Sequence, residues 1–204
     1  AWADVFAEAG FRYACLTARH HDGYCLWDTK TTDYNSMAQA AGRDLVREYT
    51  EAMRRKGLRV GLYYSWCDWR QPAYYEGPGK NPEGFLKVKE MIREQIEELM
   101  TKYGKIDYLF FDGTWPRYGD EIGTAEIVEH IRTLQPGILI NNRLGFRGDQ
   151  EEIDKYGGLR DEGDFGTPEQ NVFPQDRLWE SCQTSTWRWW GYTKNERYKS
   201  SGEI

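Results

Sequence analysis

Residues 106–113 read IDYLFFDG, a short apolar run that ends in an aspartate and a glycine. An apolar, aromatic-rich run of this length that is closed by glycine predicts a β-strand buried on both faces. Asp112 would then stand at the carboxyl end of that strand. Similar runs predict further strands at residues 11–17, 58–64 and 138–140, and a weaker one at 178–182.

Amphipathic segments separate these predicted strands. Apolar side chains recur every three to four residues in segments 43–56, 85–103 and 125–134, as in helices that pack one face on a core. Glycine, or proline with glycine, closes each segment. The β-α-β-α order predicts an α/β protein with a parallel sheet, either doubly wound or a (β/α)8 barrel.

Two features favour the (β/α)8, TIM-like barrel. No glycine-rich phosphate loop follows any predicted strand, as a dinucleotide-binding sheet would require. Polar or aromatic residues also follow each strand, which is where barrel enzymes build their active sites. Only about five of the eight strands can be counted, so the sequence predicts a single domain, residues 1–204, that forms an incomplete barrel without its first and last strands.

Composition argues against several classes of protein. The 204 residues carry 27 basic and 33 acidic side chains, a net charge of −6, and no long run of like charges. Nucleic acid and anionic membranes are therefore not expected as partners. No segment is long and apolar enough to predict a membrane span. The four cysteines lack the spacing of a zinc site or of a disulfide framework.

Three carboxylates are candidates for catalysis. Asp112 ends a buried strand, where an unpaired carboxylate is costly unless it has a partner or a task, although it could also simply cap a helix. Glu169 lies in a loop that contains glycine and proline, and Glu180 lies in a more apolar run. A retaining glycosidase needs two carboxyl groups about 5 to 5.5 Å apart. The spacing along the chain does not decide between Glu169 and Glu180 as the partner of Asp112.

The histidines favour hydroxyl recognition over metal binding. His20 and His21 are adjacent, so in an extended segment their side chains would point to opposite faces. A third ligand is lacking, because His130 belongs to a predicted surface helix; no metal and no cofactor are expected. Two imidazoles and the Arg143 guanidinium could instead form hydrogen bonds with the hydroxyl groups of a polyol. A purely structural role for the histidine pair is the alternative.

Several motifs together resemble glycoside hydrolase family 29, the α-L-fucosidases. They are LTARHHDGYCLWD at 16–28, TTDYN at 31–35, GRDL at 42–45, GLYYS at 61–65, FFDG at 110–113, INNR at 140–143 and TPE at 167–169. The motifs follow the family's order and spacing from about residue 2 to residue 196. The resemblance implies a (β/α)8 barrel and a retaining glycosidase that needs no cofactor.

The resemblance also assigns roles to individual residues. Asp112 falls on the family's nucleophile and Glu169 on its acid/base, whereas Glu180 belongs to a Trp-Glu pair with a supporting role. The positions that hold the fucose are His20, His21, Tyr63 and Arg143 for the hydroxyls and Trp190 for the methyl group. Phe110 stands where some relatives carry Trp.

The implied partner is a fucosylated oligosaccharide or glycoconjugate. The form of the loop around Glu169 resembles the subfamily that prefers α-1,3/1,4-linked fucose. The alternatives are a non-catalytic fucose-binding relative and, more remotely, another barrel glycosidase. Because the family's first and last strands are not recognised here, we expect these 204 residues alone to be poorly active. The cellular compartment cannot be read from this sequence.

Overall fold

The computed structural model describes residues 1–147 and 163–203. Its centre is a four-stranded parallel sheet whose strands follow the order β1-β2-β3-β4. The strands are β1 (Tyr13–Arg19), β2 (Arg59–Ser65), β3 (Tyr108–Asp112) and β4 (Leu139–Ile140). The four stronger strand predictions are therefore confirmed, with their boundaries shifted by a few residues.

Helices connect the strands. They are α1 (Trp2–Glu8), α2 (Leu45–Arg55), α3 (Pro72–Lys80), α4 (Pro82–Lys102), α5 (Gly119–Ile122) and α6 (Thr124–Leu134). Helices α2, α4 and α6 confirm the three amphipathic segments. Helix α3 was not predicted, since Gly77 interrupts it with a φ of 73° and Pro78 follows, and neither was the single turn α5.

The fifth predicted strand, at residues 178–182, is not a regular strand. Its residues form only isolated parallel bridges, from Trp179 to Gly166 and from Cys182 to Glu169. They pair with the loop that carries Glu169 and not with β4. At one end of the segment Cys182 packs on a small aromatic cluster at the inner face of the sheet, whereas Leu178 at the other end is exposed.

The two faces of the sheet have different partners. Side chains that alternate toward the helices, such as Leu62 and Leu109, are fully buried in the main core. The opposite face is lined with rings, and Tyr108, Phe110 and Phe165 form a second, smaller cluster there. Because residues two apart along a strand share a face, Asp112 lies on the same face as Phe110 and Tyr108.

The architecture is thus α/β with a parallel sheet, as the sequence predicts. Closure into a barrel remains a prediction. Within the described residues, β1 is an edge strand, and its inner-face residues Tyr13 and Cys15 are exposed. None of the helices in the described ranges is both long and apolar enough to cross a membrane.

Candidate active site

Asp112 is the last residue of β3, a strand whose five residues are all buried. Only 9% of Asp112 is exposed. The chain turns directly after it at Gly113, which has a φ of 70°. The main-chain oxygen of Asp112 accepts a 2.7 Å hydrogen bond from Trp66 N, so the pairing of β2 with β3 continues past the strand ends. The carboxylate is therefore fixed to a rigid part of the sheet.

Three donors converge on the Asp112 carboxylate. Tyr63 Oη donates to Oδ2 at 2.8 Å, and Arg143 Nη1 and the main-chain N–H of Gly113 donate to Oδ1 at 3.0 and 2.9 Å. Burial, and then the neighbouring carboxylate, raises the pKa of the Tyr63 hydroxyl far above its ordinary value of 10.0. Tyr63 therefore keeps its proton and acts as a donor.

Arg143 connects Asp112 to the second candidate carboxylate. Its Nη1 contacts Asp112, while its Nη2 donates to Glu169 Oε2 at 2.8 Å. The Glu169 side chain is 44% exposed, in contrast to the 13% of the Asp112 side chain. The two carboxylates are separated by no more than one guanidinium and its two hydrogen bonds.

Local interactions hold the guanidinium in place. Its Nε donates to Thr167 Oγ1 at 3.0 Å, its Nη2 donates to the Thr167 carbonyl at 3.2 Å, and its Cζ lies 5.1 Å from the centre of the Phe110 ring. On the main-chain side, the Arg143 carbonyl accepts a 3.1 Å hydrogen bond from Trp66 Nε1. Thr167, which the sequence analysis did not single out, therefore takes part in the site.

The segment that leads to Arg143 is attached to β3 by a side chain. Asn141 is fully buried. Its Oδ1 accepts from Phe111 N at 2.7 Å, and its Nδ2 donates to Phe111 O at 2.9 Å. The Asn141 amide thus pairs with β3 as a peptide group would, just after β4 ends.

The loop that carries Glu169 is paired with the segment around Glu180. Gly166 N donates to Leu178 O, and Gln170 N donates to Cys182 O, both at 2.9 Å. The loop that carries Glu169 and the segment that carries Glu180 therefore run side by side.

Glu180 lies at the other end of the strands. It accepts hydrogen bonds from Tyr13 Oη at 2.7 Å and from Tyr108 Oη at 3.4 Å. Tyr108 begins β3 and Asp112 ends it, which places them roughly 13 Å apart at the usual rise per strand residue. In this arrangement Glu169, and not Glu180, is the neighbour of Asp112.

The two adjacent histidines point to the same side. Their ring centres are 4.0 Å apart, contrary to the expectation of opposite faces. The expectation was wrong because β1 ends at Arg19 and the chain then turns, with Gly23 N donating to His20 O. The His20 ring stacks on Tyr63 with a centre distance of 5.6 Å and an interplanar angle of 11°.

His21 is the buried member of the pair. Its Nε2 lies 4.0 Å from Asp112 Oδ2, and its Nδ1 lies 2.6 Å from Ser65 Oγ. Burial and the nearby His20 lower its pKa below the usual 6.5, although Asp112 acts in the opposite direction. These contacts favour a neutral imidazole beside the carboxylate.

Two exposed tryptophans also surround His21. The ring centre of Trp69 lies 5.7 Å from that of His21, and the ring centre of Trp115 lies 5.4 Å from it. Neither residue stands out in the sequence, because an isolated Trp in a loop carries no periodic signal. Their proximity depends on the turns that follow β1, β2 and β3.

Trp190 is the candidate that the geometry does not connect to the others. It is 59% exposed. Within residues 1–147 and 163–203 we find no hydrogen bond or ring contact between Trp190 and the other candidates. The same part of the chain contains no group of three or more His, Cys, Asp or Glu side chains arranged to hold a metal.

Comparison with known proteins relates this geometry to a family. The sequence model of the family described as "Alpha-L-fucosidase" matches residues 1–204. A curated alpha-L-fucosidase from Dictyostelium discoideum is 29% identical, over 100% of this chain and 44% of that protein.

Solved structures agree with the sequence match. Alpha-L-fucosidase isoenzyme 1 from Paenibacillus thiaminolyticus is 39% identical with a TM-score of 0.82, over 98% of this chain and 51% of that one. An alpha-L-fucosidase GH29 from Bacteroides thetaiotaomicron, a trapped covalent intermediate in complex with 2-fluoro-fucosyl fluoride, is 28% identical with a TM-score of 0.85, over 98% of this chain and 49% of that one. The chain thus spans about half the length of these relatives.

The family match over all 204 residues, and the agreement of the parallel sheet with solved members, confirm the resemblance seen in the sequence: the chain belongs to the alpha-L-fucosidase family, glycoside hydrolase family 29.

Proposed function

We propose that the protein is a retaining α-L-fucosidase that hydrolyses terminal α-L-fucosyl linkages of oligosaccharides or glycoconjugates. The observation that carries the proposal is the bridge formed by Arg143, whose two terminal nitrogens contact Asp112 and Glu169 at 3.0 and 2.8 Å. Such a bridge brings both carboxylates to one guanidinium, and a retaining glycosidase needs its two carboxyl groups close together, about 5 to 5.5 Å apart. The trapped covalent intermediate of the Bacteroides relative supports the same class of mechanism.

In the first step of the proposed mechanism, Asp112 is the nucleophile. An oxygen of its carboxylate forms a bond to the anomeric carbon of fucose, and the bond from that carbon to the glycosidic oxygen breaks. Glu169 gives its proton to the departing oxygen, which takes the bonding electron pair. The converging contacts from Tyr63, Arg143 and the Gly113 amide support this role, because they orient the Asp112 oxygens toward one side.

In the second step, water replaces the enzyme oxygen. Glu169 accepts a proton from the water as the water oxygen attacks the anomeric carbon. The bond from that carbon to Asp112 breaks, which regenerates the Asp112 carboxylate. Two inversions give net retention. The exposure of Glu169 on a loop supports its role, since its side chain has room to turn from Arg143 toward the leaving oxygen or toward water.

The proposed fucose site lies beside Asp112. His20, His21, Tyr63 and Arg143 would hold the hydroxyl groups, and their mutual contacts support this assignment. Trp190 as the wall near the methyl group remains a proposal that rests on the resemblance alone. A preference for α-1,3/1,4 linkages is likewise proposed from the loop around Glu169, and a panel of fucosyl disaccharides with defined linkages would test it.

We also propose that the sheet is part of a (β/α)8 barrel whose remaining strands lie outside the described residues. The four parallel strands follow one another in sequence order, as barrel strands do. The aromatic inner face supports this view, because Tyr13 and Cys15 on β1 would be covered by a further strand.

The decisive experiment compares the active protein that carries this chain with its Asp112→Gly variant on 4-nitrophenyl α-L-fucoside. We expect the variant to lose nitrophenol release, and added azide to restore it with formation of a fucosyl azide of inverted configuration. Glu180→Gln is the matched control, since the Glu180 carboxylate accepts hydrogen bonds from Tyr13 and Tyr108, away from Asp112. This variant should retain activity.

Absence of release by the well-folded parent, on both the aryl fucoside and the disaccharide panel, would contradict the proposal. If fucose still bound, the protein would instead be a non-catalytic fucose-binding relative. Release of a different sugar from a panel of nitrophenyl glycosides would identify another barrel glycosidase.

A further inference from the structure

Ser65 connects the buried histidine of the site to strand β2. Ser65 is fully buried at the end of β2, opposite Asp112 in the register of β2 and β3. Its Oγ lies 2.6 Å from His21 Nδ1 and 3.0 Å from the main-chain oxygen of Cys67. A hydroxyl has one proton to donate, so Ser65 can donate either to the Cys67 carbonyl or to His21 Nδ1. Which of the two accepts this proton determines which nitrogen of the imidazole carries its own proton.

In the first of two possible arrangements, the Ser65 hydroxyl donates to the Cys67 carbonyl. The oxygen of Ser65 then accepts a proton from His21 Nδ1–H, and both hydrogen bonds are made. The Nε2 atom of His21 is left with a lone pair that faces the side of Asp112, 4.0 Å from Oδ2.

In the second arrangement, the Ser65 hydroxyl donates to Nδ1 and the imidazole carries its proton on Nε2. That proton has no acceptor at hydrogen-bond distance on Asp112, since 4.0 Å is too long and Oδ2 already accepts from Tyr63 at 2.8 Å. Among the contacts of the Ser65 hydroxyl, the second arrangement therefore forms one hydrogen bond fewer than the first. The Cys67 thiol does not reverse this order, because in the first arrangement it can donate to Ser65 Oγ, 3.4 Å away.

We propose that Ser65 is a positioning residue that holds His21 as the Nδ1–H tautomer, so that Nε2 accepts a proton from a hydroxyl of the bound sugar. The part that concerns the sugar rests on the proposed function; the tautomer does not. The N–H donors of Arg143 can only donate to a polyol in this site, and the one proton of the Tyr63 hydroxyl already goes to Asp112, whereas a bare Nε2 can receive. A hydroxyl that donates to His21 can still accept from one of those donors.

The surroundings of His21 keep the ring from turning away from Ser65. Gly113 approaches so closely that a Cβ there would lie 2.7 Å from His21 Cε1, and Cys67 Sγ lies 3.3 Å from Nδ1. Burial, His20 and Arg19 lower the pKa of His21, while the carboxylates of Asp112 and Asp22 act in the opposite direction. Only a neutral imidazole has two tautomers, with the proton on either Nδ1 or Nε2.

The first test reads the tautomer directly in the unaltered protein. The active protein that carries this chain is labelled with ¹⁵N-histidine, and the His21 signals are identified by their loss in a His21→Gln variant. We expect the long-range ¹H–¹⁵N correlation pattern of a neutral imidazole with its proton on Nδ1. A pattern with the proton on Nε2 would overturn the proposal, whether or not the protein hydrolyses fucosides.

The second test removes the hydroxyl. Ser65→Ala should move the proton of His21 to Nε2 and lower kcat/KM for an aryl fucoside roughly tenfold, the effect of one lost hydrogen bond. Cys67→Ala is the matched control, because it removes a buried side chain that also touches His21 but keeps the main-chain carbonyl that accepts from Ser65. It should leave the tautomer unchanged.

Loss of activity in Ser65→Ala with the Nδ1–H pattern intact would show that Ser65 acts only as packing, and would overturn the proposal. A panel of mono-deoxy fucosides gives a further check on the sugar. Removal of the hydroxyl that donates to His21 should weaken binding to the parent and have little effect on Ser65→Ala. Equal losses in both proteins for every deoxy sugar would contradict the acceptor role.

Discussion

The Tyr63 hydroxyl donates a 2.8 Å hydrogen bond to Oδ2 of Asp112, from the neighbouring strand and on the same face of the sheet. The two residues come from strands whose registers are fixed by main-chain pairing. Their contact therefore depends on the sheet itself and not on a loop.

The first prediction concerns this hydrogen bond. Tyr63→Phe should lower kcat/KM for an aryl fucoside roughly 10- to 100-fold, because a hydrogen bond to a charged group contributes about 1.5–3 kcal/mol. Tyr64→Phe is the matched control, since the Tyr64 hydroxyl donates to Gln95 on the other face of the sheet. It should cost stability and leave kcat unchanged. Equal kinetic losses in both variants would contradict a role for Tyr63 in the site.

A second prediction tests the bridge between the carboxylates. Arg143→Lys should lower kcat/KM at least 100-fold, because an ammonium group cannot reproduce the planar fork that contacts Asp112 and Glu169 together. Arg132→Lys makes the same change where the guanidinium pairs with Asp164. Steady-state kinetics should show little effect of that control, and near-parental activity of Arg143→Lys would rule out the bridge as a requirement.

A third prediction separates the two glutamates. Glu169→Gln should slow substrates with poor leaving groups far more than aryl fucosides with activated ones, since only the former need a proton. Azide should accelerate the variant and give a fucosyl azide of retained configuration. The activity of Glu180→Gln should depend on the leaving group as that of the parent does, and azide should not accelerate it. If Glu180→Gln showed the leaving-group dependence instead, the assignment of the acid/base would be wrong.

A fourth prediction concerns the close approach at Gly113. Gly113→Ala should destabilise the protein by about 1–3 kcal/mol and reduce activity, because it combines a positive φ with a Cβ that would meet His21 and Cys67. Gly10→Ala is the control for the backbone alone, as Gly10 has a φ of 80° with no atom within 4 Å of an added Cβ. Chemical denaturation should find the smaller loss for Gly10→Ala, and full activity.

A fifth prediction follows from the neutral state of His21. Its pKa in the folded protein lies below the 6.5 of the unfolded chain, chiefly because of burial. The unfolded state then binds more protons as pH falls, so the stability that neutral His21 contributes is present above pH 6.5 and is lost below it. The free energy of unfolding of the parent, relative to His21→Gln, should therefore decline between pH 7.5 and 5.5. A constant or rising difference would contradict this sign.

The elements with regular apolar patterns could be predicted from sequence, whereas the irregular ones could not. The apolar run before Asp112 predicts a strand, and the apolar stripe of α4 predicts a helix, because both patterns lie within a short stretch of sequence. Helix α3 contains Gly77 and Pro78, residues that normally end helices, and only its packing against α4 explains it. The segment at 178–182 resembled a strand because it is apolar, although none of its residues is fully buried and Leu178 is exposed.

The site was predictable to the extent that it depends on strand ends. Asp112 could be selected because it follows an apolar run, whereas Tyr63 was selected only through the family resemblance. That Glu169 and not Glu180 lies near Asp112 depends on the pairing of two loops, and the shared side of His20 and His21 depends on a turn that no sequence pattern marks. Ser65 and Thr167 went unnoticed as parts of the site for the same reason, since a lone hydroxyl carries no periodic signal.

The attachment of Asn141 to Phe111 has a consequence for how the two candidate carboxylates are held. Because this side chain fastens the start of the Arg143 segment to the strand that bears Asp112, the guanidinium and the Asp112 carboxylate belong to one rigid unit. Glu169 meets that unit from a separate loop, and its side chain is 44% exposed, against 13% for Asp112. The site thus combines one carboxylate that the sheet keeps stationary with one that can change its position.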